Sequence, residues 1–276
     1  MIKNLTITVI IIFSVNLYSQ WTKEWFPAAL NIQPFTANIL EARTGFMFAL
    51  NEDRLRLDIG TSRDILLLKS REESFSFGAD LFTFTRLRSE ENFKFPVETI
   101  DFYFGINAGY KISNANKEIG ARFRFSHISA HLVDGSYDEN TKSWIDGREP
   151  FVYSKEFFEL IPYYRIEEFR FYLGLTYIIH AIPDIINSGI YQAGFDYYIL
   201  FLSSRSIIPF IAYDFKLNGL NDVYSGNNIA KLGVKFGEPL SRGFSILLSY
   251  ISGKSIHGEL FDLSENYFNL GFNLDL

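Results

Sequence analysis

Residues 101–112 read DFYFGINAGYKI, and taken alternately they sort into two sets. Phe102, Phe104, Ile106, Ala108, Tyr110 and Ile112 fall on one side, and Asp101, Tyr103, Gly105, Asn107, Gly109 and Lys111 on the other. Successive side chains of a strand point to opposite faces, so this stretch reads as a strand with one apolar and one polar face. The C-terminal segment repeats the pattern, with Phe268, Leu270, Phe272, Leu274 and Leu276 against Tyr267, Asn269, Gly271, Asn273 and Asp275. So do residues 169–180, 189–201 and 228–237.

About twelve such segments can be placed, beginning near residues 38, 53, 74, 97, 118, 150, 168, 189, 206, 227, 243 and 265. Most are long enough to cross an apolar layer at a tilt. The connections alternate in length. Those near 69–73, 113–117, 166–168, 203–205 and 237–242 are tight. Residues 88–96, 131–150, 181–188, 218–226 and 252–265 make longer ones, with 51–53 the short exception on that side. Soluble sandwiches use shorter strands and show no two-ended bias in loop length. A transmembrane barrel predicts both features, and a closed barrel satisfies every backbone polar group in lipid. The predicted fold is therefore all-β: an outer-membrane-type antiparallel barrel of about twelve strands.

Composition agrees with this. Aromatic residues make up 17% of the 276, mostly Phe (29) and Tyr (16), an enrichment that favours strands. A net charge of −6 offers no basic face for phosphates, so nucleic acid is not an expected partner. Cysteine is absent, which excludes disulfides and thiolate chemistry. No cofactor is called for. His127 and His131 lie about 13 Å apart along a strand, too far to share one ion. The acidic loop 134–149 lacks the spacing of a helix–loop–helix calcium site.

The chain begins MIKNLTITVIIIFSVNLYSQ: Lys3, an apolar run over 5–15, and Leu17-Tyr18-Ser19 before Gln20. This reads as a cleaved secretory leader, residues 1–19, and implies export to the bacterial outer membrane. Residues 20–37, with Trp25, Phe26 and Pro27, fit no spanning strand and are expected at the periplasmic mouth. Residues 38–276 are expected to form the barrel.

With the oily face outward, Arg54, Arg56, Asp101, Arg122, Arg124, Asp196 and Asp214 belong to the lumen, together with Asp58, Asp80, Lys111, Arg170, Lys216, Lys231, Lys235 and Asp275. The two signs balance, so the interior can neutralise itself. Twelve strands are also fewer than an open porin uses. The lumen is expected to be narrow or filled by charged side chains.

Residues 122–135 read RFRFSHISAHLVDG. Their alternation puts Arg122, Arg124 and Ser126 inward and His127, Ser129 and His131 outward, near the outer leaflet. Same-face neighbours on a strand stand about 6.5–7 Å apart, within reach of a proton transfer from serine to imidazole. Antiparallel pairing sets Lys155 or Glu156 opposite His127, and Glu156 shares the lipid-facing phase of Val152, Phe158 and Leu160. Ser129, His127 and Glu156 are thus the candidate catalytic residues. His131, Asp134, His180 and His257 gather at the outer rim as candidate binding residues.

Arg124-Phe125-Ser126-His127-Ile128-Ser129 resembles a stretch of the outer-membrane lipid A 3-O-deacylases, barrel enzymes that remove an ester-linked acyl chain from lipopolysaccharide. The resemblance implies Ser129 as nucleophile, His127 as general base and Glu156 as its orienting acid. More broadly the chain resembles an uncharacterised bacterial family, domain of unknown function 1207. The resemblance rests on Phe26-Pro27, on 124–132 and on Tyr153-Ser154-Lys155-Glu156-Phe157, and it implies an exported barrel without assigning a role. The expected function is that of a structural or surface- and lipid-interacting barrel, with outer-leaflet ester hydrolysis and a narrow channel as alternatives. Expected partners are outer-membrane lipid or lipopolysaccharide and, through the C-terminal strand, the barrel-assembly machinery.

Overall fold

A computed structural model of the chain describes residues 21–204 and 207–275. The leader expected over 1–19 lies outside the described residues, as does Leu276. In chain order the strands are β1 (Thr22–Trp25), β2 (Thr44–Ala49), β3 (Arg54–Lys69), β4 (Glu73–Arg88), β5 (Val97–Asn114), β6 (Lys117–Leu132), the short pair β7 (Tyr137–Asp138) and β8 (Ser143–Trp144), β9 (Tyr153–Ile166), β10 (Phe169–Ile182), β11 (Gly189–Tyr198), β12 (Ile207–Leu220), β13 (Val223–Gly237), β14 (Gly243–Lys254) and β15 (Ser264–Asp275). All pair antiparallel. Setting aside β1, β7 and β8, twelve of them close into a barrel, because β2 joins β15 to β3 and β3 also pairs with β4.

The alternation holds around the wall. Outward positions form an exposed apolar belt that includes Leu81, Phe104, Ile106, Phe123, Leu173 and Leu175. An exposed apolar surface of that extent is what a lipid-facing wall requires. Among the predicted lumen residues, Arg56, Asp58, Asp80, Asp101, Arg122, Arg124, Arg170, Asp196, Asp214, Lys216, Lys231 and Lys235 are buried inside. Arg54 also faces in, against Glu52 and Glu265.

Connections are long at one end of the barrel and short at the other, with two departures from the expected pattern. The 218–226 connection is only a two-residue turn, Asn221 and Asp222, both at positive φ (48° and 63°). That is the hairpin geometry which matches strand twist, and Asn and Asp tolerate it. Conversely, the turn expected at 203–205 is longer, since β11 ends at Tyr198 and β12 starts at Ile207.

The larger correction concerns the N-terminal segment. It does not stop at the mouth, and the first wall strand begins at Thr44 rather than near 38. After β1 pairs with Leu66–Lys69 at the short-turn end, residues 30–43 enter the barrel and run through its interior. Pro34 denies this stretch a ladder donor. Irregular backbone at membrane depth must find partners in the protein, and here the lumenal side chains supply them. Asp64 accepts from Asn31 N (2.6 Å) and Asp196 from Thr36 N (2.9 Å). Arg170 donates to the carbonyls of Gln33 and Pro34, Lys231 to that of Thr36, Arg56 to that of Ile39 and Arg124 to that of Leu40.

Glu41 is the electrostatic anchor. It is fully buried, accepts from Arg122 and from Arg124 (2.8 Å), and Arg124 reaches on to Asp80 (3.2 Å) and Glu159 (3.4 Å). Phe35 sits beside it, with Arg170 and Arg122 over its ring at 4.4 and 4.9 Å.

From the long-loop end, residues 255–261 also fold inward. His257 Nδ1 lies 2.7 Å from Asp101, which accepts from Gly258 N as well. A Cβ on Gly258 would collide with the Tyr153 ring, so only glycine allows this approach. Between the two insertions the wall is aromatic rather than charged, with Phe82, Phe84, Tyr103, Tyr153 and Phe157 in one cluster. The interior is therefore a packed core with charged layers, not a lining of ion pairs alone.

One outcome follows for Glu41. Glu41→Ala removes the carboxylate that two buried guanidinium groups share and should cost about 3–5 kcal/mol in urea unfolding.

Candidate functional site

Three adjacent strands, β6, β9 and β10, carry the site near their long-loop ends. The β6–β9 register sets His127 opposite Glu156 and Ser129 opposite Ser154, so the expected cross-strand pair forms. His180 arrives by a different route. The β9–β10 ladder slips between Ile178 and His180, where a bulge puts both Ile179 and His180 outward and brings His180 beside Glu156. Without the extra residue, His180 would point into the lumen.

Glu156 is thus held between two imidazoles. His127 Nδ1 lies 2.5 Å from Oε1 and His180 Nδ1 lies 2.6 Å from Oε2, while Ser154 Oγ donates to Oε1 at 3.1 Å. A carboxylate only accepts, so each imidazole carries a proton on Nδ1, and in the neutral ring Nε2 keeps its lone pair. The Phe104 ring tilts over His127 at 4.7 Å. His127 and Glu156 are about a quarter exposed and His180 more than half, at the edge where the apolar belt of Phe125 and Phe158 gives way to the loops.

Ser129 shares this outer face, half-buried, and its hydroxyl makes no hydrogen bond among the described residues. The neighbouring Ala130 is buried in the lumen, so no side chain there can donate to an oxyanion. His131 is exposed and meets Phe102 edge-on at 6.0 Å. Asp134 is exposed and accepts from Gly135 N at 3.0 Å. His257 differs from the rim position expected of it, because it lies buried inside against Asp101. The histidines therefore divide, with His127, His131 and His180 outside and His257 within.

Of the lumen residues, Arg122 and Arg124 meet at Glu41, Asp196 pairs with Arg170, and Asp214 accepts from Tyr172 (2.7 Å) and Gln192. Glu41 was not legible as a partner because its stretch lacks strand periodicity. Lys155 and Glu159 were legible in principle: they share the inward phase of Tyr153, Phe157 and Ile161 on the strand that carries Glu156 outward.

A family model described as "Protein of unknown function (DUF1207)" matches residues 92–275. The chain belongs to the DUF1207 family. No curated protein matches it. Among solved structures, this DUF1207 barrel is similar to the β-domain of the Bordetella autotransporter BrkA, at 10% identity and TM-score 0.44, over 86% of this chain and all of that one. It is also similar to the outer-membrane protein OprD from Pseudomonas aeruginosa, at 10% identity and TM-score 0.33, over 81% of this chain and 75% of that one. OccK5 (OpdH) of the same organism gives 10% identity and 0.35, over 93% and 78%. At such identities nothing about activity passes from them to the DUF1207 chain.

Because the chain has no cysteine, the outward phase can be tested by labelling. In liposomes, His127→Cys and His180→Cys should react with a lipid-soluble maleimide, and His257→Cys should stay unlabelled until the barrel is unfolded. An unreactive His127→Cys protein beside a reactive His257→Cys protein would reverse the assignment.

Proposed function

We propose that this DUF1207 protein is an exported outer-membrane barrel, closed to solutes, that works at its lipid-facing outer rim on lipid of the outer leaflet. The observation that carries the reading is the His127–Glu156–His180 cluster on the outside of the wall. Ionisable groups on a lipid-facing surface are costly and call for a role. Two imidazoles and a carboxylate, with Ser129 and Ser154 beside them, offer hydrogen bonds at headgroup depth. The threaded N-terminal segment supports a closed lumen, since it fills the path a solute would take. The longer connections on the cluster's end support placing that end outside. In this reading β15 is the strand presented to the barrel-assembly machinery.

A second reading is favoured by the hydrogen bond that ties His127 Nδ1 to Glu156. With Glu156 holding Nδ1, Nε2 of the neutral ring is free to act as a base, and a rotation that brings it to the unpartnered Ser129 hydroxyl completes the arrangement that the resemblance to lipid A deacylases implies. Ser129 Oγ would attack an acyl ester carbonyl and pass its proton to Nε2, and the lipid alkoxide would leave with that proton. Water would then release the fatty acid from Ser129 by the same base.

In planar bilayers the refolded protein should give no stable unitary conductance, and a steady pore would overturn the closed reading. Native mass spectrometry should show lipid A retained by the parent and bound about tenfold more weakly by His127→Ala/His180→Ala, a loss of about 1.4 kcal/mol. Equal retention would remove the rim site. Mass spectrometry of lipid A and phospholipid after incubation decides the second reading: loss of an acyl chain with the parent and not with Ser129→Ala supports hydrolysis, and unchanged lipid in both rejects it.

A further inference from the structure

Between the inner tip of the N-terminal segment and the inward-folded loop, a cavity of about 100 Å³ remains in the lumen. Ile39 and Leu40 face it from the segment, Ile256 and Phe261 from the loop, and Phe157 and Ile229 from the wall. Three lysines reach the same space. Lys216 donates to Asn38 Oδ1 (2.8 Å), and Lys254 to the Asp262 carbonyl (2.7 Å) and Ser264 Oγ (3.3 Å). Lys155 makes no hydrogen bond or ion pair among the described residues. Its ammonium lies 5.9 Å from the Phe157 ring centre and 6.0 Å from that of Tyr153.

The nearby acids are already committed. Asp101 accepts from His257 and from Gly258 N, and Glu159 lies against Arg124 and Arg122. A half-buried ammonium with no counter-charge of its own keeps an unfilled attraction for an anion that enters beside it. Tyr153 also borders the cavity, and its hydroxyl, which has no hydrogen-bond partner among the described residues, is a second donor available to such an anion.

We propose that this cavity binds a small amphipathic monoanion, a short-chain carboxylate whose head meets Lys155 and Tyr153 and whose chain lies against Phe157 and Ile229. Size limits the chain, because a cavity of about 150 Å³ holds a benzene ring and this one is smaller. Charge limits the head to a single negative group: the other two lysines are engaged, and Glu159 in the same wall repels a second. Ile39 and Leu40 form the floor, so the anion is a resident ligand rather than a permeant. This inference does not depend on the rim site.

The test is isothermal titration of the full refolded barrel in a non-ionic detergent with propanoate, propanol and malonate. Propanoate should bind at least tenfold tighter than either of the others. Lys155→Met should weaken propanoate at least tenfold and leave propanol unchanged, and Ile229→Trp, which fills the cavity, should abolish both. Retained heat-modifiable gel mobility shows that each variant is folded, and Lys155→Gln serves if Lys155→Met is not. Absence of saturable propanoate binding up to roughly 10 mM, weaker than a specific site is worth, overturns the proposal. So does equal propanoate affinity in parent and Lys155 variant.

Discussion

A buried glutamate between two arginines holds this barrel together from within. Glu41 belongs to no strand, yet it is fully enclosed and takes hydrogen bonds from both Arg122 and Arg124. A carboxylate in that position is tolerable only because two guanidinium groups meet it, and those groups are balanced in turn by Glu41 together with Asp80 and Glu159. The consequence reaches past the pair itself. Once Glu41 is fixed, the chain before it must lie in the lumen, and its irregular backbone must be satisfied by wall side chains. Asp64, Asp196, Arg56, Arg170 and Lys231 are spent on that task. Charges that alternate with apolar residues along the strands thus have a purpose beyond mutual neutralisation, which is to bind a segment of the same chain.

That internal anchoring separates two surfaces. Inside, insertions from both ends leave little free volume, and what remains is walled by Phe157, Ile229 and the segment's own Ile39 and Leu40 around one unmatched lysine. Outside, the apolar belt is interrupted near the long-loop end by Glu156 and its two histidines. The barrel therefore joins a rigid, self-filled interior to a polar cluster on a surface that otherwise asks only for hydrocarbon. Membership of the DUF1207 family carries no assigned chemistry, so the arguments for function rest on these two places.

The wall was largely legible in advance. Strand starts near 53, 74, 97, 118, 168, 189, 206, 243 and 265 fall within a residue of those observed, because a period of two is enforced on every strand that has lipid on one side. The pairing of His127 with Glu156 followed from the same rule. What escaped it obeys other constraints. The Asn221-Asp222 turn was hidden because the strands continue in phase almost to its edge. His180 reached the outer face through a bulge, which a single sequence does not mark.

The sequence by itself determined that about twelve strands form the wall and, wherever a strand keeps its period, which residues face lipid and which face inward, because alternation is a local property read two residues at a time. Only the tertiary structure decided what occupies the interior. Residues 30–43 have no period, and their placement depends on partners drawn from β3, β6, β10, β11 and β13, which come together only when the sheet closes. The same holds for His257, carried to Asp101 from more than 150 positions away in the chain, and for Lys155, whose lack of a partner is a property of the whole lumen. Periodicity records which side of the wall a residue takes, and closure of the barrel decides what it meets there.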